Sequence, residues 1–174
     1  MAIGTGDRAP DFDLEERFDA PRLGLSDYLG RTNLLLVFHP FSFTPVCAEE
    51  ALDLQENLES FRNANTELLL VSCDTSAARQ AWKRELGADY TFASDFWPHG
   101  ETARRYGVFD ETTGAAVRGT FLIDETGTVV WSLVNDADTR RTELVDESLA
   151  ATAEEGASSS SGDDPAPARA ADAR

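Results

Sequence analysis

The stretch that most limits what this chain can become is Leu34-Leu35-Leu36-Val37-Phe38, an unbroken apolar run entered from Asn33 and closed by His39-Pro40. Successive side chains of a strand point to opposite faces, so a strand without alternation needs cover on both sides. The run is too short for an ordinary buried helix, and proline stops it. It is therefore a central strand with other elements packed on each face.

The flanking segments agree. Residues 45–63 carry Cys47, Ala51, Leu54, Leu58 and Phe61 on one stripe at helical spacing. Residues 67–73 form a second buried strand. A helix over 76–86 is closed by Gly87, and a short one over 102–106 by Gly107. Residues 118–123 and 128–133 form a hairpin around Asp124-Glu125-Thr126-Gly127, and 139–152 a closing helix. There are no internal repeats. Strand–helix–strand followed by a hairpin and a helix is the order of a thioredoxin-like α/β sandwich, a central mixed sheet flanked by helices.

With 174 residues there is room for one domain. Composition breaks once, near Ala151. From there to the end there is no Leu, Ile, Val, Met or aromatic residue, and Ser158-Ser159-Ser160-Ser161-Gly162 and Pro165-Ala166-Pro167 follow. The expectation is a folded domain over 1–150 and a disordered acidic tail over 151–174. No apolar run approaches the ~20 residues of a membrane span. Residues 1–10 lack the apolar segment of a secretory signal. A cytoplasmic location is expected.

Thirty-two acidic residues against fifteen basic ones give a net charge of -17. Such a surface repels phosphate backbones and excludes non-specific nucleic-acid binding. Lys83 is the only lysine; the other basic residues are arginines. This pattern looks like a protein of a salt-accumulating halophile, where high salt screens the self-repulsion. The plain alternative is an ordinary acidic protein. Two cysteines, Cys47 and Cys73, build neither a secreted disulfide framework nor a zinc site, and His39 and His99 are too scattered for a metal.

The chemistry lies in His39-Pro40-Phe41-Ser42-Phe43-Thr44-Pro45-Val46-Cys47. This segment joins a buried strand to a long helix, where α/β folds place their sites. Thr44 suits the N-cap, Pro45 the first helical position, and Cys47 falls at the third. The free amides and the dipole of the helix start both favour thiolate over thiol. Glu49 and Glu50 oppose it, so a reactive site needs a cation from elsewhere. Arg118, in Arg118-Gly119-Thr120-Phe121-Leu122-Ile123-Asp124, is the candidate. The plain reading of Cys47 is a buried structural cysteine.

Pro40-x-x-x-Thr44-x-x-Cys47, with Glu50 three residues on, resembles the peroxiredoxin active-site motif. Trp82, Ser94-Asp95, Tyr106-Gly107-Val108 and Arg118-Gly119-Thr120-Phe121 look like further landmarks of that family in order. Ser94-Asp95-Phe96-Trp97-Pro98-His99-Gly100 is similar to the one-cysteine, alkyl hydroperoxide reductase E type. The resemblance spans residues 6–150.

It implies that Cys47 is the peroxidatic nucleophile and passes through a sulfenic acid. Thr44 and Arg118 would hold the two peroxide oxygens, with backbone N–H groups of Val46 and Cys47 as further donors. Pro40 would shield the sulfur and Glu50 orient Arg118. No metal or organic cofactor is implied. Peroxide is the implied substrate, a small-molecule thiol or redoxin the reductant, and a homodimer or higher the assembly. Some relatives resolve the sulfenic acid with a cysteine five residues after the nucleophile, here Leu52. Others use a C-terminal extension, and the tail here has no cysteine. A one-cysteine mechanism follows by elimination.

Other residues carry plainer expectations. His39 stands where many relatives have an aromatic residue, and either lines the pocket or simply ends the strand. Trp82 and Trp97 are packing or interface residues, His99 a cap or surface residue, and Cys73 core packing. The competing class is a thioredoxin-like protein without peroxidase activity, since Thr44-Pro45-Val46-Cys47 is a CxxC with its first cysteine replaced. Pro40 and Arg118 discriminate, because a dithiol relative needs neither.

Overall fold

The computed structural model describes residues 1–159. After an N-terminal segment the chain runs through β1 (Asn33–Phe38), α1 (Pro45–Glu56), α2 (Leu58–Asn63), β2 (Thr66–Ser72), α3 (Ser76–Leu86) and β3 (Thr91–Ser94). It continues through α4 (Glu101–Arg105), β4 (Phe109–Asp110), β5 (Ala115–Ala116), β6 (Arg118–Ile123), β7 (Val129–Asn135) and α5 (Leu144–Ser159). Five strands form one sheet in the order β3-β2-β1-β6-β7, with β1 at its centre. β1–β2 and β2–β3 pair in parallel, and β1–β6 and β6–β7 antiparallel. The mixed thioredoxin-like sandwich is present as expected.

The apolar run of β1 is buried at all six positions, and its residues divide by parity. Leu34, Leu36 and Phe38 pack with Leu69, Val71, Phe121 and Ile123 under α4 and the N-terminal segment. Leu35 and Val37 face the other way, with Leu70, Leu122 and the stripe Cys47, Ala51, Leu54, Leu58 and Phe61. Each such side chain contributes about 1.5–3 kcal/mol when removed from water. A polar substitution at Leu35 or Leu36 therefore breaks one core or the other.

Several boundaries differ from expectation. The 45–63 helix divides at Asn57, whose φ/ψ of −103°/9° leaves the helical range and whose side-chain amide donates to Asp53 O. The stripe stays buried across the break. β3 and the short β4–β5 hairpin were not anticipated: both are too brief to show periodicity, and β3 exists through its pairing with β2. The closing helix starts at Leu144 rather than 139, because 136–143 is a loop held by side chains of the site. It runs to Ser159, past the composition break at Ala151. Its Ala and Glu residues favour helix, and Thr152 is buried. The remainder of the expected tail, 160–174, lies outside the described residues. Among the described residues no helix is long and apolar enough to cross a membrane.

Candidate active site

β1 ends where Pro40 interrupts it, and the loop 39–44 turns the chain into α1. Its tightest point is Phe43, at φ +64°, a left-handed conformation that costs a non-glycine residue roughly 1–2 kcal/mol. The loop is pinned by Ser42 N donating to Asp74 Oδ2 at 2.8 Å and by the Phe43 ring against Trp82. Thr44 is the N-cap residue and Pro45 the first helical residue. The Thr44 hydroxyl does not cap the helix, however; it donates to Phe41 O at 2.9 Å. Its proton is thereby placed, and its lone pairs remain to accept. The first backbone bond of α1 runs from Ala48 N to Thr44 O, so the N–H groups of Val46 and Cys47 precede the helical ladder.

Cys47 lies in this first turn, 2% exposed. Arg118 reaches it from the head of β6: Nη2 donates to Sγ at 3.4 Å. The same guanidinium donates through Nη1 to Glu50 Oε2 at 2.7 Å and through Nε to Ala137 O at 2.8 Å, which fixes its plane. Next to Arg118, Gly119 lets β6 pack tightly on Val108, since a Cβ there would stand 2.7 Å from Val108 Cγ1.

Glu50 is buried between two arginines. Arg141 Nη2 donates to Oε2 at 2.7 Å, and the Arg141 backbone N–H to Oε1 at 2.8 Å. Arg141 Nη1 goes on to Thr120 Oγ1 at 2.7 Å. Burial alone would raise the pKa of Glu50. The hydrogen bonds and charge of Arg141, then the charge of Arg118, outweigh it and hold the carboxyl below its ordinary value. Two guanidiniums against one carboxylate leave net positive charge beside the sulfur. Glu49 points outward to Arg140 at 2.7 Å, so neither glutamate opposes a thiolate as the sequence alone suggested.

A family model described as "AhpC/TSA family" matches residues 5–132 of this chain. Alkyl hydroperoxide reductase E of Mycobacterium tuberculosis is 37% identical over 127 residues, covering 73% of this chain and 82% of that protein. The chloroplastic 2-Cys peroxiredoxin BAS1 of Hordeum vulgare is 35% identical over 154 residues, covering 83% and 71%. The reduced 2-Cys peroxiredoxin of Plasmodium vivax superposes with a TM-score of 0.79 at 28% identity, covering 91% of this chain and 84% of that one. The chain belongs to the AhpC/TSA family. It is a peroxiredoxin, a member of the thiol peroxidase enzymes.

In this peroxiredoxin Cys47, Thr44, Val46, Glu50 and Arg118 share one end of the sheet, and buried Pro40 sits at the turn into them. His39 is buried but does not touch the sulfur's hydrogen-bond network; its Nε2 lies 2.6 Å from Arg79 Nη1 and its ring packs on Trp82. Trp82 is core, Trp97 is exposed, and His99 bonds Phe96 O and Gly114 O at the surface. Cys73 is core, beyond the end of β2.

Arg141 and Arg79 were missed. Arg141 had no local signal beyond lying just before an amphipathic helix. Arg79 did leave one, a charged residue at i−3 from Trp82 on the face of α3 that is otherwise buried. A cavity of about 420 Å³ lies at the opposite end of β1 and β2, among residues such as Arg31, Arg62 and Asp89. Arg62 is already paired with Glu59 and Asp89 there, and the cavity has no part in this site.

Proposed function

We propose that this peroxiredoxin reduces hydrogen peroxide and organic hydroperoxides by a one-cysteine mechanism, in antioxidant defence. The observation that carries the reading is the 3.4 Å bond from Arg118 to Cys47 Sγ, with Glu50 holding the arginine from behind. The Cys47 thiolate attacks the terminal peroxide oxygen, the O–O bond breaks, and the sulfur becomes a sulfenic acid. The leaving alkoxide or hydroxide takes a proton and departs as alcohol or water. Arg118 stabilises charge growing on the leaving oxygen. Thr44, its own proton given to Phe41 O, accepts a hydrogen bond from the peroxide. First-turn N–H groups of Val46 and Cys47 add donors, and Pro40 screens the sulfur from water.

An external thiol, a small molecule or a redoxin, then attacks the sulfenic sulfur and releases water, and a second thiol frees Cys47 as the disulfide of the reductant leaves. The protein acts as a homodimer or higher in the cytoplasm of a halophile. Support for the one-cysteine step comes from Cys73, which sits on the α4 side of the sheet near Asp95, Asp74 and Arg104. One equivalent of peroxide should give a stopped-flow change in tryptophan fluorescence and a sulfenic acid on Cys47, trapped by a 1,3-diketone and located by mass spectrometry. A Cys47–Cys73 disulfide in that sample would overturn the one-cysteine step. No reaction with any hydroperoxide would overturn the whole reading in favour of a thioredoxin-like protein without peroxidase activity.

A further inference from the structure

Arg79 is a buried charge that the peroxide chemistry above does not use. It lies on α3 at 0% exposure. Its guanidinium donates to His39 Nε2 at 2.6 Å and Ser42 Oγ at 3.0 Å, and to the carbonyls of Leu70 at 2.6 Å and Ala93 at 3.1 Å. The rings of Trp82 and Phe92 flank it, 5.6 and 4.9 Å from the guanidinium carbon. None of these partners is a carboxylate. Asp74 reaches it only indirectly, through the Ser42 backbone N–H.

Arginine can only donate, so His39 Nε2 must accept with its lone pair. The ring is then neutral with its proton on Nδ1, directed toward the Phe41 backbone without a well-formed hydrogen bond. Burial first, then the charges of Arg79, Arg141 and Arg118, hold His39 well below the usual histidine range, in keeping with a neutral ring. Burial also brings Arg79 down to about 10, which leaves it cationic at neutral pH.

These bonds grip both ends of His39-Pro40-Phe41-Ser42, the first half of the loop that carries Thr44 and Cys47. Trp82, beside Arg79, shares a core cluster with Cys47, and a thiolate at Cys47 would lie within electrostatic range of Arg79. The charged groups around the sulfur are Arg118 from β6, Glu50 from α1, Arg141 from the 136–143 loop and Arg79 from α3. Those around Arg79 are His39, Asp74, Tyr90 and Cys47. Glu50 is bound directly by two arginines, whereas the carboxylate whose charge acts on Arg79, Asp74, is only partly buried and makes no direct bond to it.

We propose that Arg79 is a positioning residue for the peroxide reaction, which clamps the 39–44 loop through His39 and Ser42 and adds a third buried positive charge to the field favouring the Cys47 thiolate. The proposal rests on Cys47 being the nucleophile. In a Cys73→Ser background, which leaves one thiol, the thiolate absorbance is titrated for the parent, Arg79→Gln and Arg79→Lys. Arg79→Gln should move the thiol–thiolate equilibrium about tenfold toward thiol. Arg79→Lys should restore the equilibrium but not the peroxide rate, because it keeps the charge and loses the fork to His39 and Ser42.

An Arg79→Gln protein that folds and titrates like its parent overturns the proposal. If that variant does not fold, nitrogen NMR of the unsubstituted chain decides. His39 should carry its proton on Nδ1 between pH 5 and 8, conditions set around the ordinary histidine value, and its Nε2 signal should move in Cys47→Ser. A proton on Nε2, or no movement, overturns it. A Cys47→Ser protein that still consumes peroxide removes the nucleophile assignment instead, so the two failures are distinguishable.

Discussion

Cys47 and Cys73 lie almost equally deep, 2% and 6% exposed, yet their surroundings carry opposite charge. Cys47 meets Arg118 directly and Arg141 through Glu50. Cys73 lies among carboxylates: burial first, then Asp95 and Asp74, push its thiol up to about 12, against the opposing Ala116 N–H and the charge of Arg104. Depth alone therefore does not make a thiol reactive. The sign of the charge that the fold brings to it is what separates the two here, and on the proposed function only Cys47 reacts.

The largest test of this contrast is kinetic. Cys47→Ser should cut peroxide consumption by at least about three orders of magnitude, as loss of a nucleophile does. Cys73→Ser should stay within about twofold, as for a conservative change away from the reacting atoms. Equal loss in both would end the contrast. Next, Arg118→Met keeps bulk and removes the charge and fork. It should slow the reaction roughly a hundredfold or more, beyond any fall in thiolate fraction, because Arg118 also serves the transition state. An unchanged rate and an unchanged thiolate absorbance would take Arg118 out of the site.

The two carboxylates sharpen the comparison through acid stability. Glu50 is held below its ordinary 4.5, so the stability it supplies is present above that value and is lost as pH falls through its folded value. Glu50→Gln should cost about 3–5 kcal/mol near neutrality, since it strands two buried guanidiniums. It should also flatten the acid limb of a urea-melt series. Asp95 is raised by burial above 3.8, although Thr102 and Ala103 N–H groups donate to it. Its charge costs stability at neutral pH, and that cost is relieved on acidification, so Asp95→Asn should change the acid limb in the opposite sense. Parallel limbs for the two variants would refute the assignment.

At high pH Cys73 follows Asp95 in sign, opposite to Glu50. Its folded value lies above the unfolded 9.0, so its contribution is complete below pH 9.0 and declines toward about 12. Between those limits the parent should lose more stability than Cys73→Ser. Identical alkaline melts would mean that Cys73 ionises as freely folded as unfolded. The smallest effect concerns the surface. At 1 M ionic strength the Debye length is about 3 Å, so repulsion within a -17 chain is nearly gone. The melting temperature should rise a few degrees with potassium chloride, while the Cys47 to Cys73 rate contrast stays fixed because both sites are buried. A flat or falling melt would remove the halophile reading alone.

The sequence by itself determined the central strand, the helix stripe beginning at Cys47, and Cys47's place at the third helical position. Each depends on periodicity or capping, which are local. It also placed Arg118 at the start of a strand. What it could not determine was which charges would meet. Arg118 lies 71 residues from Cys47, and Arg141 91 from Glu50. These encounters depend on β6 pairing antiparallel beside β1 and on the 136–143 loop folding back over α1. Glu50, which local reasoning cast as an opponent of the thiolate, becomes the group that steadies two arginines. Arg79 shows the same limit: its buried charge was visible as a break in the face of α3, but its partners His39 and Ser42 come from another strand end. Spacing along a chain decides what each side chain is offered locally, and only the packed sheet decides which offers meet.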